Sequence, residues 1–237
     1  MNKVAKPDDK VLNPPGLAIF DLDYTLTKRG TWGRFVMQCV KERPHIWLPL
    51  LLAAGSAQLR YKLGLIPRVA VKRAMMAWAM PNWPRDKIIA KAEAFARKEV
   101  ENGLRPGAIL ALEKHKAQED SIMLASAAVS VVVEPIAKLL GIEHFVATEM
   151  RWDNDCLSRD FASENCYGTE KLRRVQEYLR ANPSLKQNNT IITMYSDSCS
   201  DLAIMQFADV GISVNPDRRL LAISKDNNFA VVDWMKA

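Results

Sequence analysis

The 237-residue sequence has few of the residue types that build thiol or imidazole sites. Its four cysteines contain no C-x-x-C pair, and its three histidines show no i,i+4 pairing. These spacings argue against a zinc knuckle, a dithiol redox motif and a histidine metal centre. Reduced thiols in a cytoplasmic protein are the simplest interpretation of Cys39, Cys156, Cys166 and Cys199.

Long apolar runs are also missing. The longest apolar stretch begins at Ile46, is interrupted by Pro49, and falls short of the ~17–25 residues that a bilayer span needs. Residues 1–16 have no apolar segment after their lysines, so they lack the central region of a signal peptide. We therefore expect no transmembrane segment, and we interpret residues 1–16 as a flexible tail.

Positive charge is in modest excess. The formal net charge is +6, which favours anionic partners such as phosphate esters, nucleic acid or acidic lipid surfaces. The Lys and Arg residues are scattered and form neither an arm nor a groove interleaved with aromatics, so nucleic acid is not expected as a partner. With 49% hydrophobic and 25% charged residues, the composition is typical of a folded globular protein.

Short apolar runs alternate with segments of helical period. The runs, which we interpret as strands, cover residues 17–20, 121–125, 144–147, 190–195, 210–214 and 229–232. The intervening helices are predicted over residues 106–118, 131–140, 169–179, 201–208 and 216–224, the first and last of which begin with Pro, a residue suited to the first helical position. This alternation predicts an α/β fold with a doubly wound, Rossmann-like parallel sheet.

Residues 31–103 interrupt this alternation. No comparable strand occurs there, and Leu, Ala, Met and Trp recur at helical spacing through several Pro and Gly breaks. We therefore predict a core domain formed by residues 17–30 and 104–237, with an all-helical cap domain over residues 31–103. Such an insertion would lie over the carboxyl ends of the strands, where open parallel sheets bind their ligands.

Two acidic pairs directly follow predicted strands. Asp21 and Asp23 are two apart in an extended segment, so their side chains point the same way. Asp197 and Asp201, four apart at the start of a helix, can share one face of its first turn. The alternatives are an Asp-rich turn at the first pair and a helix cap, by Ser200 or Asp201, at the second.

The remaining candidates would complement this negative charge. Several carboxylates at one point need a cation, and oxygen ligands without His or Cys favour Mg²⁺ over zinc. Ser126 follows a predicted strand and Lys171 lies near the start of a helix, so a hydroxyl, an ammonium and backbone N–H groups could hold a phosphoryl group. Taken singly, Ser126 is more often a core-edge residue and Lys171 a solvated lysine.

Taken in order, FDLDYTLT, LASA, the lysine of NCYGTEK and YSDSCSD resemble the four motifs of the haloacid dehalogenase superfamily. The resemblance covers residues 17–234. The phrases EPIAKLLGIEHFVAT and SVNPDRRL are similar to the phosphoserine-phosphatase-like subgroup, subfamily IB, in which a helical cap follows the first motif. The fold implied is therefore that superfamily's core with an inserted helical cap.

The resemblance also implies an activity, which is Mg²⁺-dependent hydrolysis of a phosphate monoester. By this resemblance, Asp21 is the nucleophile that forms an aspartyl-phosphate, and Asp23 is the acid and base. The implied Mg²⁺ ligands are Asp21, the backbone carbonyl of Asp23, Asp197 and, directly or through water, Asp201. The implied phosphoryl ligands are Ser126 and Lys171.

Gly30 departs from the subgroup. Phosphoserine phosphatases carry a glutamate at this place that holds the substrate ammonium, so phosphoserine itself is not expected. A small-molecule or lipid phosphate remains as substrate. The uncharged residues 46–59 lie between basic flanks and are compatible either with peripheral membrane contact through the cap or with the cap's apolar interior.

Two alternatives to hydrolysis remain open on the same fold. One is phosphotransfer, in which an acceptor alcohol replaces water. The other is a non-catalytic module that binds phosphate or lipid. The sequence carries no signal for the oligomeric state.

Overall fold

The computed structural model describes residues 15–236. Six strands form one sheet in which every neighbouring pair is parallel, in the order β3-β2-β1-β6-β7-β8. They are β1 (Leu17–Phe20), β2 (Ser121–Val129), β3 (His144–Thr148), β6 (Ile192–Ser196), β7 (Val210–Val214) and β8 (Ala230–Val232). The predicted α/β fold with a parallel sheet is confirmed, and each predicted strand is present.

The sheet separates two apolar cores, which explains why its strands read as continuous apolar runs. Ala18 and Phe20 of β1 pack into one core, and Leu17 and Ile19 pack into the other. A strand buried on both faces needs apolar residues at every position. Helices cover both faces: α5 (Pro106–Ala117), α6 (Ser130–Leu140), α7 (Thr169–Ala181), α8 (Leu202–Phe207) and α9 (Arg218–Asp226).

Four helices lie between β1 and α5 in the chain. They are α1 (Thr31–Val40), α2 (Trp47–Lys62), α3 (Arg68–Ala79) and α4 (Arg85–Lys98), and a single wide turn, Glu99–Gly103, follows them. The segments that enter and leave this helical block run antiparallel to each other. Lys28 N–H donates to Gly103 O at 2.8 Å, and Arg105 N–H donates to Leu26 O at 2.9 Å.

The start of α9 differs from the prediction. The helix begins at Arg218 and not at Pro216, so the predicted use of Pro216 as a first helical residue is wrong. Asp217 is the reason, because its carboxylate accepts hydrogen bonds from the backbone N–H groups of Arg219 (2.9 Å) and Leu220 (2.8 Å). A side-chain cap of this kind fixes the first turn.

A hairpin was missed by the sequence analysis. Strands β4 (Met150–Asp153) and β5 (Cys156–Phe161) pair antiparallel, joined by Asn154 and Asp155, which both have positive φ. The hairpin contacts the helical insertion, since Leu157 N–H donates to Trp83 O at 2.8 Å. A two-residue turn with positive φ is typical of tight hairpins, so the Asn-Asp pair was the available signal.

The predicted tail, residues 1–16, falls outside the described residues except for Pro15 and Gly16. Across residues 15–236, no helix combines the length and apolar character that crossing a bilayer would require.

Candidate active site

The carboxyl ends of β1, β2 and β6 meet at one cleft of about 120 Å³. Because β1 lies between β2 and β6, residues that follow these strands are brought side by side. Asp21 N–H donates to Tyr195 O at 3.0 Å, which continues the ladder between β1 and β6 to the site. All six predicted site residues line this cleft: Asp21, Asp23, Ser126, Lys171, Asp197 and Asp201.

Lys171 joins the two acidic pairs. Its Nζ lies 2.8 Å from Asp21 Oδ1 and 2.7 Å from Asp201 Oδ2, and its side chain is 2% exposed. Burial alone would lower the pKa of Lys171, but the charges of Asp201 and Asp21 outweigh burial and hold it above its ordinary value. The alternative of a solvated lysine is therefore wrong.

The carboxylates exceed the charge of this one lysine. Burial raises the pKa of Asp21 well above its ordinary range. The charge of Lys171 opposes this rise, and the charge of Asp201 adds to it. Burial likewise raises the pKa of Asp197 to about 6. Asp201 Oδ2 accepts hydrogen bonds from Lys171 and from Ser196 Oγ, which is 2.8 Å away, whereas Asp201 Oδ1 is buried with no partner among the described residues. This site is therefore short of positive charge.

The donor set fits a hard divalent cation. Asp21 and Asp197 offer carboxylate oxygens without His or Cys, which suits Mg²⁺. Within residues 15–236, no three Asp, Glu, His or Cys side chains form a preassembled cage.

Asp23 is oriented by the first residue of α1. Its Oδ1 accepts hydrogen bonds from Thr31 N–H at 2.8 Å and Thr31 Oγ1 at 2.7 Å. Burial raises the pKa of Asp23, and the two bonds from Thr31 oppose that rise. Through these two bonds, the Asp23 side chain contacts the helical insertion.

Ser126 is fully buried within β2, and its Oγ accepts a hydrogen bond from Ala128 N–H at 3.1 Å.

The side-chain cap at the Cys199–Asp201 turn comes from Ser198. Neither Ser200 nor Asp201 supplies it. The capping alternative for those two residues is therefore wrong.

Thr25 was missed by the sequence analysis. Its Oγ1 accepts a hydrogen bond from Asp197 N–H at 3.0 Å and lies 3.3 Å from Asp21 Oδ2. The hydroxyl thus ties the loop after β1 to the loop after β6. Its place four residues after Asp21 in FDLDYTLT was the signal available.

The backbone at Tyr24 is held in an unusual conformation. Tyr24 has φ 63°, a left-handed geometry that non-glycine residues adopt at a free-energy penalty and often at functional sites. Arg105 Nε donates to Tyr24 O at 3.0 Å and holds it there. A Cβ added at Gly30 would come within 3.3 Å of the Tyr24 ring, so this ring occupies the space beside the residue that departs from the subgroup.

Helix α3 adds two cations that the sequence analysis did not single out. The Arg68 guanidinium carbon lies 4.4 Å from the centre of the Tyr167 ring, and both residues line the cleft. Lys72 is buried and donates to Asn165 Oδ1 at 2.6 Å and to Ala127 O. Burial lowers the pKa of Lys72 to about 8, against the opposing charge of Asp23.

A second buried polar network lies at the opposite, amino-terminal edge of the sheet. His115 Nδ1 lies 2.7 Å from Asp120 Oδ2, and His115 Nε2 lies 2.8 Å from Tyr195 Oη. Asp120 Oδ1 also accepts a hydrogen bond from Gly16 N–H at 2.6 Å. A cavity of about 470 Å³ adjoins this network and is larger than the cleft at the carboxyl edge.

The fold and the cleft together define an α/β protein that groups its acidic residues at the carboxyl edge of a parallel sheet. The profile of the haloacid dehalogenase-like hydrolases matches residues 18–206. The chain belongs to this family.

Individual relatives are distant in sequence. A histidinol-phosphatase of Neisseria meningitidis is 20% identical over 231 residues, which cover 92% of this chain and 98% of the relative. A Bordetella pertussis protein of unknown function superposes with a TM-score of 0.81 at 23% identity, over 93% of this chain and 99% of its own. A substrate-bound phosphoserine phosphatase superposes with a TM-score of 0.61 at 15% identity, over 92% of both chains.

At these identities the two structures show the fold alone. The predicted membership of the haloacid dehalogenase superfamily and the prediction of an enzyme of this hydrolase class are confirmed by the family match, and the fold is shared with a phosphoserine phosphatase.

Proposed function

We propose that this chain is a Mg²⁺-dependent phosphomonoester hydrolase that works through an aspartyl-phosphate on Asp21. The observation that carries the proposal is the position of Lys171, which is buried between Asp21 and Asp201 at the carboxyl ends of adjacent strands. A carboxylate held against a fixed ammonium, in a cleft with an excess of carboxylates, suits the transfer of an anionic group.

In the first step, an Asp21 carboxylate oxygen attacks phosphorus, and the bond from phosphorus to the ester oxygen breaks. The leaving alcohol takes a proton from Asp23. Asp23 is suited to this role because Thr31 fixes its Oδ1, while Oδ2 has no hydrogen-bond partner among residues 15–236. Ser126 and Lys171 hold the phosphoryl oxygens.

In the second step, water attacks phosphorus and gives its proton to Asp23, and the bond from phosphorus to Asp21 breaks. Inorganic phosphate leaves, and both carboxyl groups return to their starting states. Asp21, the carbonyl of Asp23 and Asp197 would hold Mg²⁺, with Asp201 nearby. The bound ion would supply positive charge that offsets the phosphoryl oxygens and the acidic residues.

The helical block contributes the leaving-group side of the cleft. We propose that residues 31–103 act as a cap domain on a core formed by residues 17–30 and 104–237, because the entry and exit segments pair at Lys28 and Gly103. Arg68, Tyr24 and Tyr167 line the cleft and favour a leaving alcohol that carries an anionic or planar group. Glycine at residue 30 offers nothing to hold an ammonium.

All four cysteines are free thiols in the structure. Unpaired cysteines are typical of reducing compartments, which supports a cytoplasmic location.

Phosphate release from p-nitrophenyl phosphate tests the proposal. The wild-type protein should release phosphate with Mg²⁺ and lose this activity in EDTA, whereas Asp21→Asn should be inactive under both conditions. Circular dichroism and thermal unfolding should show Asp21→Asn folded. Full activity of this variant would refute the mechanism, and phosphate binding without turnover by the wild-type protein would favour a non-catalytic module. Formation of a new phosphate ester with an added alcohol would identify phosphotransfer.

A further inference from the structure

Helix α2 has apolar side chains on two opposite sides. Leu50 and Ala57 are buried on its inner side. Its outer side carries four leucines that are 57 to 66% exposed: Leu48, Leu51, Leu52 and Leu59. A surface helix normally turns polar residues to water, and a helix that is apolar all round is normally enclosed. The four outer leucines, which we call the leucine face, therefore form an exposed apolar patch whose contact with water is unfavourable.

Helix α4 of the same insertion shows the usual pattern. Its inner side buries Ile88, Ala92 and Phe95, whereas its outer side exposes the charged residues Lys87, Glu93 and Arg97. Exposed leucines are therefore a property of α2 and of the turn that follows it, where Leu63 and Leu65 are 65% and 67% exposed, and not of α4.

The charges around the leucine face have one sign. Residues 43–85 contain seven Lys or Arg residues and no Asp or Glu. Arg60 and Lys62, in the last turn of α2, are exposed, and within the described part of the chain neither forms an ion pair. An apolar helix face with cations at its carboxyl end is complementary to a surface that is apolar inside and anionic outside.

We propose that the leucine face docks the protein on an anionic lipid bilayer, with α2 lying in the plane of the interface. The leucines would enter the boundary between headgroups and acyl chains, while Arg60 and Lys62 meet the anionic headgroups. With 16 residues, α2 is shorter than a bilayer span. The inner side of such a helix can be apolar because it packs on the protein.

A second copy of the chain is a poorer occupant for the same surface. Contact about a two-fold axis places the same patch of both copies together. Both copies would then bring only positive charge to the contact, because α2 contains Arg60 and Lys62 but no Asp or Glu, and like charges oppose association. The bilayer proposal goes beyond the catalytic proposal and does not depend on it, because no residue of the cleft takes part.

Vesicle sedimentation tests this proposal with the full chain. The vesicles contain either phosphatidylcholine alone or phosphatidylcholine with 3 parts in about 10 of phosphatidylglycerol, a composition that gives a negative surface. The wild-type protein should sediment with the anionic vesicles and much less with the neutral ones. The double variant Leu52→Ser/Leu59→Ser should bind anionic vesicles about tenfold more weakly, because two leucines no longer enter the interface.

The matched control is Leu110→Ser/Leu139→Ser, which removes two leucines of similar exposure from α5 and α6 and should bind like the wild-type protein. Arg60→Gln/Lys62→Gln should weaken binding several-fold and make it less sensitive to salt. Hydrolysis of soluble p-nitrophenyl phosphate should be equal in all variants, which shows that each is folded.

Four outcomes would overturn the proposal. They are failure of the wild-type protein to bind anionic vesicles, equal binding to both vesicle types, loss of binding in the control, and light scattering that shows a dimer abolished by Leu52→Ser/Leu59→Ser. The last outcome would identify a second copy as the occupant. Absence of phosphatase activity alongside normal vesicle binding would refute only the catalytic proposal.

Discussion

Both edges of the parallel sheet hold buried ionisable groups, and the two edges differ in how well those groups are satisfied. At the amino-terminal edge, Asp120, His115 and Tyr195 form a continuous hydrogen-bonded chain that ends on the backbone of Gly16. At the carboxyl edge, Lys171 faces more carboxylates than it can neutralise, and one buried oxygen of Asp201 has no partner within residues 15–236.

The difference distinguishes a network suited to stabilising the fold from the network that we propose to be reactive. A buried polar network whose members are satisfied fixes the fold, whereas an unsatisfied one destabilises it and is retained for another reason. Cavity size would have pointed the other way, since the cavity at the amino-terminal edge is the larger of the two. Volume and unsatisfied charge therefore point to different edges of the sheet, and the proposed active site lies at the edge with unsatisfied charge.

Replacing Lys171 should give the largest effect. Lys171→Met leaves Asp21 and Asp201 buried without their cation, so we expect the free energy of unfolding to fall by about 3 to 5 kcal/mol. Phosphatase activity should fall at least about 1,000-fold. Urea unfolding and phosphate release measure the two effects. Lys116→Met, which alters an exposed lysine that bonds Leu140 O, is the control. A stable and active Lys171→Met protein would show that the buried charges at the two edges of the sheet do not differ in this way.

At the amino-terminal edge we expect a loss of stability without a loss of catalysis. Asp120→Ala removes the acceptor for Gly16 N–H and for His115, which should lower the free energy of unfolding by about 3 kcal/mol. The value of kcat measured well below the unfolding temperature should not change. Asp226→Ala, at an exposed position, should stay near wild-type stability. A matching fall in kcat for Asp120→Ala would show that the two networks are coupled.

Lys72 allows a test by pH, with an expected effect on stability smaller than those of Lys171→Met and Asp120→Ala. Its pKa is about 8 in the folded protein against an ordinary value of 10.5, so between these pH values the unfolded chain binds the proton more tightly. Stability contributed by this group therefore rises as pH rises through this range. Relative to Lys72→Met, the wild-type protein should gain about 2 kcal/mol between pH 8 and pH 10. Lys225→Met, an exposed lysine change on α9, should show no such difference. A flat difference for Lys72→Met would mean that the lysine is hydrated in solution.

The smallest effect is expected from Tyr195→Phe. The change removes one hydroxyl from His115 but keeps the ring stacked on Phe20 at 4.4 Å and keeps the carbonyl that accepts from Asp21. We expect a loss of about 1 kcal/mol in the free energy of unfolding and unchanged kcat. Thermal unfolding and steady-state kinetics measure both quantities. A tenfold fall in kcat would show that the hydroxyl network reaches the cleft.

The strands of the core were predictable because burial on both faces leaves an unbroken apolar run, as in β1. The hairpin of β4 and β5 was not, since charged residues such as Arg151, Asp153 and Asp160 occupy its exposed positions. Its turn uses Asn154 and Asp155 in place of the commoner Asn-Gly pair.

The carboxylates of the site were predictable for a related reason. A residue that directly follows a strand has its position fixed by the sheet, so Asp21 and Asp197 could be placed together from local sequence. Arg68 reaches the cleft, and Lys72 bonds the carbonyl of Ala127 beside it, only through the tertiary position of α3, which no local pattern records. The chemistry of the site was therefore easier to predict than its surroundings.

The antiparallel contact between Leu26–Lys28 and Gly103–Arg105 has a consequence for how the protein could change over evolution or in the laboratory. The ends that would remain after excision of residues 29–102 already lie within hydrogen-bonding distance, since Lys28 N–H and Gly103 O are 2.8 Å apart. A short turn could close that gap at little entropic penalty. The helical block can therefore be exchanged for another of different length and sequence while the sheet keeps its place, although Asp23 would lose the two hydrogen bonds from Thr31.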